Sequence, residues 1–299
     1  VRVPGHHTRK DRLTRCPVCG KADFFTEIEG RDFESGTGRY RVECCRQCGV
    51  RFTNPRPTAE SAFELYRTRD STDYVRSNRI TDRLRSLTIR RWIGKVTAHA
   101  GRFESVLDYG CGDGFFAAQL ARYAASADIT AVDLHEVPPA GLNGHGVVHY
   151  RSFGQLRREP KRYQLIFCRQ VIEHVPDPQA VAAELEALLA PGGMLVVEVP
   201  NYRSVWRKLF GRYYFALYLP RHLLHFDETT LKGLFGRYRQ VKLYRNHTPI
   251  LGKSLGYLTG MPVGNLGLFG LGLFPLQVAV DRICRSSTVL ALVLRKKRK

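Results

Sequence analysis

Val106-Leu107-Asp108-Tyr109-Gly110-Cys111-Gly112-Asp113-Gly114 is the stretch on which the fold turns. An apolar run ends in glycines at alternate positions, and a helical pattern marked by Phe116, Leu120 and Ala124 follows at once. Strand, tight loop and helix in that order make the ligand-binding corner of an open parallel sheet. Glycine permits the turn and lets a ligand approach the backbone. Outward from this corner, short β-rich runs at 105–109, 128–132, 147–150, 164–168 and 194–199 alternate with helical patterns. Such alternation predicts an α/β domain with a parallel sheet and crossover helices. Val181, Leu185, Leu188 and Leu189 mark one helical face, which Pro191-Gly192-Gly193 is expected to end.

The loop also carries charge. Its glycines do not follow the G-x-G-x-x-G spacing of dinucleotide sites. Asp108 and Asp113 would each repel a pyrophosphate by roughly 1 to 4 kcal/mol at about 4 Å. A cofactor bearing a sulfonium and an ammonium would instead be attracted. Asp133 closes the next strand, where an acid accepts both hydroxyls of an adenosine ribose or caps the following turn.

With these residues the chain resembles the class I S-adenosylmethionine-dependent methyltransferases. Residues 163–178, containing Cys168-Arg169-Gln170-Val171-Ile172-Glu173-His174-Val175-Pro176-Asp177-Pro178, look like the family's fourth strand and the segment after it. Leu189-Ala190-Pro191-Gly192-Gly193-Met194-Leu195 resembles its helix-to-strand turn, and Pro200-Asn201 its post-strand loop. The resemblance implies a Rossmann-like, seven-stranded, mostly parallel sheet with an antiparallel last strand, its last two strands, here 240–245 and 287–294, forming an antiparallel pair. It implies S-adenosylmethionine on Asp108, Gly110, Gly112, Gly114, Asp133 and Arg169. Gln164 stands where relatives often carry Asp, and a long apolar insertion at about 248–286 separates the last two strands.

Methyl transfer from a sulfonium asks chiefly for alignment and exclusion of water, and a hydroxyl acceptor gains from a general base. His174 follows the fourth strand and is the first candidate; with Glu173 it is alternatively scaffold for the cofactor loop. His222 and His225 either line the acceptor pocket or cap a helix beginning near Asp227.

Cys16-Pro17-Val18-Cys19 and Cys45-Arg46-Gln47-Cys48 each offer two thiolates from a tight knuckle, the ligand pattern of a zinc ribbon. Cys44 competes with Cys45 for register. Cys45-Arg46-Gln47-Cys48-Gly49 running into Phe52-Thr53-Asn54-Pro55-Arg56-Pro57 resembles bacterial methyltransferases that carry such a ribbon. The metal reads as a structural clip or as part of a docking surface. Residues 1–57 are thus expected to form a loose arm and ribbon ending in a stiff linker, 58–100 a helical lead-in, and 101–299 the methyltransferase domain. Ile80, Leu84, Leu87, Ile89 and Ile93 predict an amphipathic helix within 77–99.

The 299 residues carry a formal net charge of +20, which favours anionic partners or reflects cations spread over solvated faces. No leader-like segment opens the chain, so the cysteines are expected to face a reducing cytoplasm. Residues 254–280 contain no charge and are long enough to cross a bilayer, but Pro262, Pro275 and many glycines disfavour a straight span. With the basic tail 295–299, they suggest either peripheral contact with the inner face of the membrane or an apolar lid over the pocket. The expected acceptor is a small molecule, a sugar or a lipid-linked glycan, methylated on oxygen or carbon. An RNA acceptor gripped by the ribbon and basic surface is the alternative; Pro200-Asn201-Tyr202-Arg203 lacks the Asn-Pro-Pro-aromatic run of exocyclic-amine methylation.

Overall fold

The computed structural model describes residues 8–67, 79–134, 138–261 and 269–297. At the amino-terminal end lie β1 (Lys10–Asp11), β2 (Phe24–Arg31), β3 (Arg39–Cys45), β4 (Arg51–Asn54) and β5 (Arg56–Pro57). Strands β2, β3 and β4 form an antiparallel meander, and β1 pairs with β5. Residues 1–7 lie outside the described residues. The rest of the expected arm is pinned: the Arg9 amide donates to Ser61, and Asn54 bonds both the amide and the carbonyl of Leu13. The expected linker is likewise built into structure, since Asn54 is 2% exposed and Arg56–Pro57 is a strand.

Two helices, α1 (Ala59–Arg67) and α2 (Arg79–Thr97), lead to the large sheet. Its strands are β6 (Ser105–Tyr109), β7 (Asp128–Val132), β8 (Val148–Tyr150), β9 (Tyr163–Arg169), β10 (Leu189–Pro200), β12 (Arg239–Asn246) and β13 (Val289–Arg295). The short β11 (Leu224–His225) joins the other sheet. The large sheet runs β12-β13-β10-β9-β6-β7-β8, seven strands as expected, with β13 antiparallel to both neighbours. The last strand therefore inserts beside β10 rather than closing the edge.

Its central strands are apolar on both faces because both are covered. Leu107, Ile166, Val197 and Leu292 point to one side, Val106, Leu165, Val196 and Val293 to the other. The second side is closed by Ile93 and Val96 of α2 and by Phe116 and Leu120 of α3 (Phe115–Tyr123). The first side receives α4 (Phe153–Arg158), α5 (Pro178–Leu188) and α7 (Glu228–Leu234), together with Val50 and Phe52 from the amino-terminal sheet. Burying a side chain such as Phe52 contributes about 1.5–3 kcal/mol, so the two sheets share one core. α6 (Val205–Phe210), α8 (Leu251–Thr259) and α9 (Phe274–Ile283) pack around Tyr40, Val42 and Tyr214.

Four details differ from the sequence reading. On α2, Leu84 and Leu87 are exposed, and Ile89, Trp92, Ile93 and Val96 meet the core; the side chain of Ile80 lies outside the described residues. β10 begins at Leu189, because Pro191-Gly192-Gly193 makes an irregularity in the ladder between Leu189 and Met194. The described start of the tail is not beside the insertion: Arg295 bonds the carbonyls of Gly192 and His99, one strand length from Val289. Within the insertion α8 and α9 are separate helices, and Pro262 lies outside the described residues. Gln164 keeps a turn contact of its own by accepting from the Glu104 amide at 2.5 Å.

Asp227 joins the layers. It caps α7 through Thr230 and pairs with Arg51 of β4 at 3.0 Å and Arg203 at 2.9 Å. Burial pushes its pKa up, but the Thr230 amide and hydroxyl, with the two guanidiniums, outweigh burial and hold it below the usual carboxylate range. The stability it contributes is therefore complete above the unfolded carboxylate pKa and is lost as pH falls through the lowered folded value. Asp227→Asn, which retains a capping side chain, should cost about 1–3 kcal/mol in urea denaturation at neutral pH and show less loss on acidification.

Candidate functional site

The carboxyl ends of β6, β7 and β9 meet at the glycine loop. Gly110 and Gly112 have φ of +83° and +54°, a region that favours glycine. A β-carbon on Gly110 would lie 2.2 Å from Val171, so this position also demands the absence of a side chain. Gly114 serves as N-cap of α3. The amides of Gly110 and Cys111 donate to Val132 on β7, and the Gly112 amide donates to Asp133 Oδ2 at 2.7 Å. Asp133 Oδ1 accepts from the Leu134 amide. The second-strand acid is thus tied to the loop and placed at its mouth. Asp113 accepts from the Phe115 amide and pairs with Arg85 of α2 at 3.2 Å.

Asp108 lies beneath the loop, 2% exposed. Burial pushes its carboxyl up to about 7; Arg169 opposes that shift, while Asp133 and Asp113 reinforce it. Arg169, at the end of β9, pairs with Glu198 of β10 at 3.1 Å and stacks on Phe116 at 4.0 Å. Glu198 was not singled out from the sequence. An acid inside Leu195-Val196-Val197-Glu198-Val199, a run buried on both faces, was the available signal.

The structure brings the histidines together on the adjoining side. His174 closes the short helical turn Ile172–His174 after β9, and its Nδ1 donates to the Arg221 carbonyl at 3.0 Å. His222 Nδ1 donates to the Ala216 carbonyl at 2.9 Å, and the two rings meet edge to face at 4.7 Å. A carboxylate oxygen of Glu173 and one ring nitrogen of each histidine lie within 4.8 Å of one another. Glu173 is 1% exposed, neither of its oxygens has a hydrogen-bond partner among the described residues, and burial, reinforced by Glu198, pushes its pKa up to about 8. Because a carbonyl only accepts, each Nδ1 carries a proton, and in the neutral ring each Nε2 then keeps its lone pair. Such nitrogens can take a proton, and the three residues lie close enough together to hold a divalent cation once Glu173 ionises.

His225 is held differently. The Thr53 hydroxyl donates to the His222 carbonyl at 2.6 Å, so His225 Nε2, 3.1 Å away, donates to Thr53. Burial and the Arg51 charge depress its pKa to about 3, leaving a neutral ring with a positioning part. Neither His222 nor His225 caps α7; Asp227 does. Thr53 and Arg51 come from a segment about 170 positions away, and nothing in their local sequence marks them.

The four cysteine sulfurs also converge. Sγ atoms of Cys16 and Cys48 are 3.6 Å apart, those of Cys19 and Cys45 3.5 Å, and all four lie within 4.8 Å. Each knuckle closes identically, with the Gly20 amide on Cys16 and the Gly49 amide on Cys45, both 2.9 Å. Cys44 turns away toward the carbonyls of Cys45 and Gly49, so it is Cys45 whose sulfur meets the other three. Four thiolates at this spacing suit a tetrahedral metal.

Comparison with known proteins bears on the family and the fold. A family model described as a methyltransferase domain matches residues 79–238, more than half the chain. The ubiquinone biosynthesis O-methyltransferase of Pseudomonas paraeruginosa is 35% identical over 141 residues, covering 44% of this chain and 59% of that protein. Its counterpart in Bordetella pertussis is 33% identical over 146 residues, 46% of this chain and 59% of the relative. The chain therefore spans less than two thirds of these relatives. The plantazolicin methyltransferase BpumL, solved with a desmethylPZN analogue and SAH, shares the fold at a TM-score of 0.53 and 17% identity, over 79% of this chain and 95% of that one. Coclaurine N-methyltransferase, bound to N-methylheliamine and SAH, reaches 0.50 at 13% identity, over 70% and 72%.

Asp133→Asn removes the charged acceptor at the loop mouth and should weaken S-adenosylmethionine binding about 10- to 100-fold in calorimetry. Unchanged affinity would place the ribose elsewhere.

Proposed function

The chain belongs to the methyltransferase-domain family, and from that premise we propose that it is an S-adenosylmethionine-dependent methyltransferase acting on an oxygen of a small-molecule acceptor, free, sugar-like or lipid-linked. The observation that carries this reading is the Glu173–His174–His222 cluster at the carboxyl end of β9, one strand from the glycine loop on β6. When bound, S-adenosylmethionine supplies an already activated methyl group. The residues of the loop fit it: Asp108, Asp113 and Asp133 suit a cationic molecule with ribose hydroxyls, and the side-chain-free backbone at Gly110 and Gly112 admits close approach.

The remaining task is to orient a hydroxyl and take its proton. His174 is the proposed base, its Nδ1 fixed on Arg221 so that Nε2 is the accepting nitrogen. His222 stands beside it, and His225 with Thr53 holds the His222 backbone in place. Tyr202, Tyr214 and Ala216 line the narrow cavity beside His222 and His225, a space of about 10 Å³ that holds no more than a water. Transfer to a hydroxyl of a quinone precursor or sugar suits a base at His174, and the curated relatives are named as O-methyltransferases.

His174→Ala should lower kcat by about 10²–10⁴-fold on a phenolic or sugar hydroxyl, with S-adenosylmethionine affinity retained. In the unaltered enzyme the rate should fall toward acid pH as the base protonates; the variant should lose that limb. An unchanged kcat and pH profile would sink the assignment.

We also propose that Cys16, Cys19, Cys45 and Cys48 hold a structural zinc. The ion would clip a sheet whose β4 carries Thr53 and Arg51 to the acceptor side. Metal analysis should find zinc in the unaltered chain and in Cys44→Ser, but not in Cys45→Ser. Loss in Cys44→Ser alone would reverse the register.

A further inference from the structure

Helix α9 is turned inside out. Gln277 and Asp281, one turn apart, are both 0% exposed. Gln277 accepts from the Ile250 amide at 3.0 Å and donates to the Thr248 carbonyl at 2.8 Å. Asp281 accepts from Trp206 Nε1 and His247 Nδ1, both at 3.0 Å. The outward stripe is Leu276, Ala279 and Ile283, with Leu276 58% and Ile283 82% exposed. A helix docked on a core and facing water has the opposite arrangement. The elements packed with α9 share the trait: Leu209 on α6, Leu258 and Met261 at the end of α8, and Phe269 and Leu271 just before α9 are all exposed. Apolar exposure on this scale marks a surface made to be covered.

Charge identifies the cover. Residues 199–226 contain no acid, and residues 229–297 contain only Asp281, which is buried. The exposed charges on these elements are Lys208, Arg212, Arg282 and Arg285, all basic. Alongside opens a cleft of about 310 Å³ lined by Arg203, Lys208, Arg245 and Arg285 against Glu228, with room for a phosphate. An apolar stripe flanked by cations, with no exposed acid among the described residues of its own elements and with Glu34 and Glu228 at its margins, matches an anionic lipid surface. None of the described helices is long and apolar enough to cross a membrane, so the fit is in the plane of the interface.

We propose that α6, α8, residues 269–272 and α9 form a face that lies on an anionic bilayer. Leu276 and Ile283 enter the acyl boundary while Lys208, Arg212, Arg282 and Arg285 contact headgroup phosphates. The cations are not those of the tail, which sits at the far end of β13. The face is continuous with the loop that carries Ala216 and His222, since Phe215, Leu217, Leu273 and Val280 share one apolar cluster. A membrane-embedded acceptor would thus be met on the acceptor side. The inference does not depend on the methyl-transfer chemistry.

The test is flotation of the full chain with vesicles of phosphatidylcholine alone or mixed with phosphatidylglycerol. The unaltered protein should float with the mixed vesicles and far less with phosphatidylcholine. Leu276→Ser combined with Ile283→Ser should cut partitioning about tenfold or more, and Arg282→Glu with Arg285→Glu should cut the anionic preference on the order of tenfold. Unchanged thermal midpoints would show both variants folded. Three results would overturn the proposal: no preference for the anionic vesicles, unchanged partitioning of the Leu276/Ile283 variant, or an unaltered protein that ignores vesicles and forms a dimer which that variant dissociates.

Discussion

Residues 223–225 are clamped between the turn after β9 and the amino-terminal sheet, and the placement of the histidine cluster depends on that clamp. The Leu223 amide donates to the Glu173 carbonyl at 2.8 Å, and its carbonyl accepts from the Thr53 amide at 2.9 Å. Leu224 and His225 then pair with Phe52 and Arg51 as an edge strand. His222 stands immediately before this ladder, with its carbonyl on the Thr53 hydroxyl. The cysteine knuckles, 62 or more residues from Gly110 in sequence, are therefore connected to the histidine cluster through one continuous sheet. A clip on the knuckles holds not an appendage but one wall of the site.

A second constraint is electrostatic. Asp108, Glu173 and Glu198 are all nearly inaccessible at the carboxyl ends of β6, β9 and β10, and Arg169 is the cation set among them. Burial disfavours the charged forms of Asp108 and Glu173. A cationic ligand at the loop would favour ionisation of such groups, and a pyrophosphate would oppose it. The same balance that separates this loop from a dinucleotide site also makes the region costly to assemble without a ligand.

The main sheet was legible because its strands are apolar on both faces and its crossovers follow helical periods. β6 and β7 lie at the positions their patterns predict. Misreadings arose where local pattern is silent about tertiary context. Pro191-Gly192-Gly193 reads as a break, yet neighbouring β9 carries the ladder past it. Leu84 and Leu87 satisfy a helical period, but periodicity does not say which residues meet a core. Adjacent Cys44 and Cys45 differ only in the direction that strand alternation gives them. On α9, the polar pair Gln277 and Asp281 reveals a two-sided helix without revealing which side is buried. At the site, the loop glycines, Asp108, Asp133 and His174 carry local motifs; Thr53, Arg51 and Arg221 act through contacts made only by folding.

Calorimetric titration of the full chain with S-adenosylmethionine, S-adenosylhomocysteine and NAD bears most directly on the central claim. Saturable binding of the first two, with no heat from NAD, is the predicted result. Binding of NAD, or the absence of binding by either sulfur nucleotide, would contradict the assignment of the glycine loop and of the chemistry built on it.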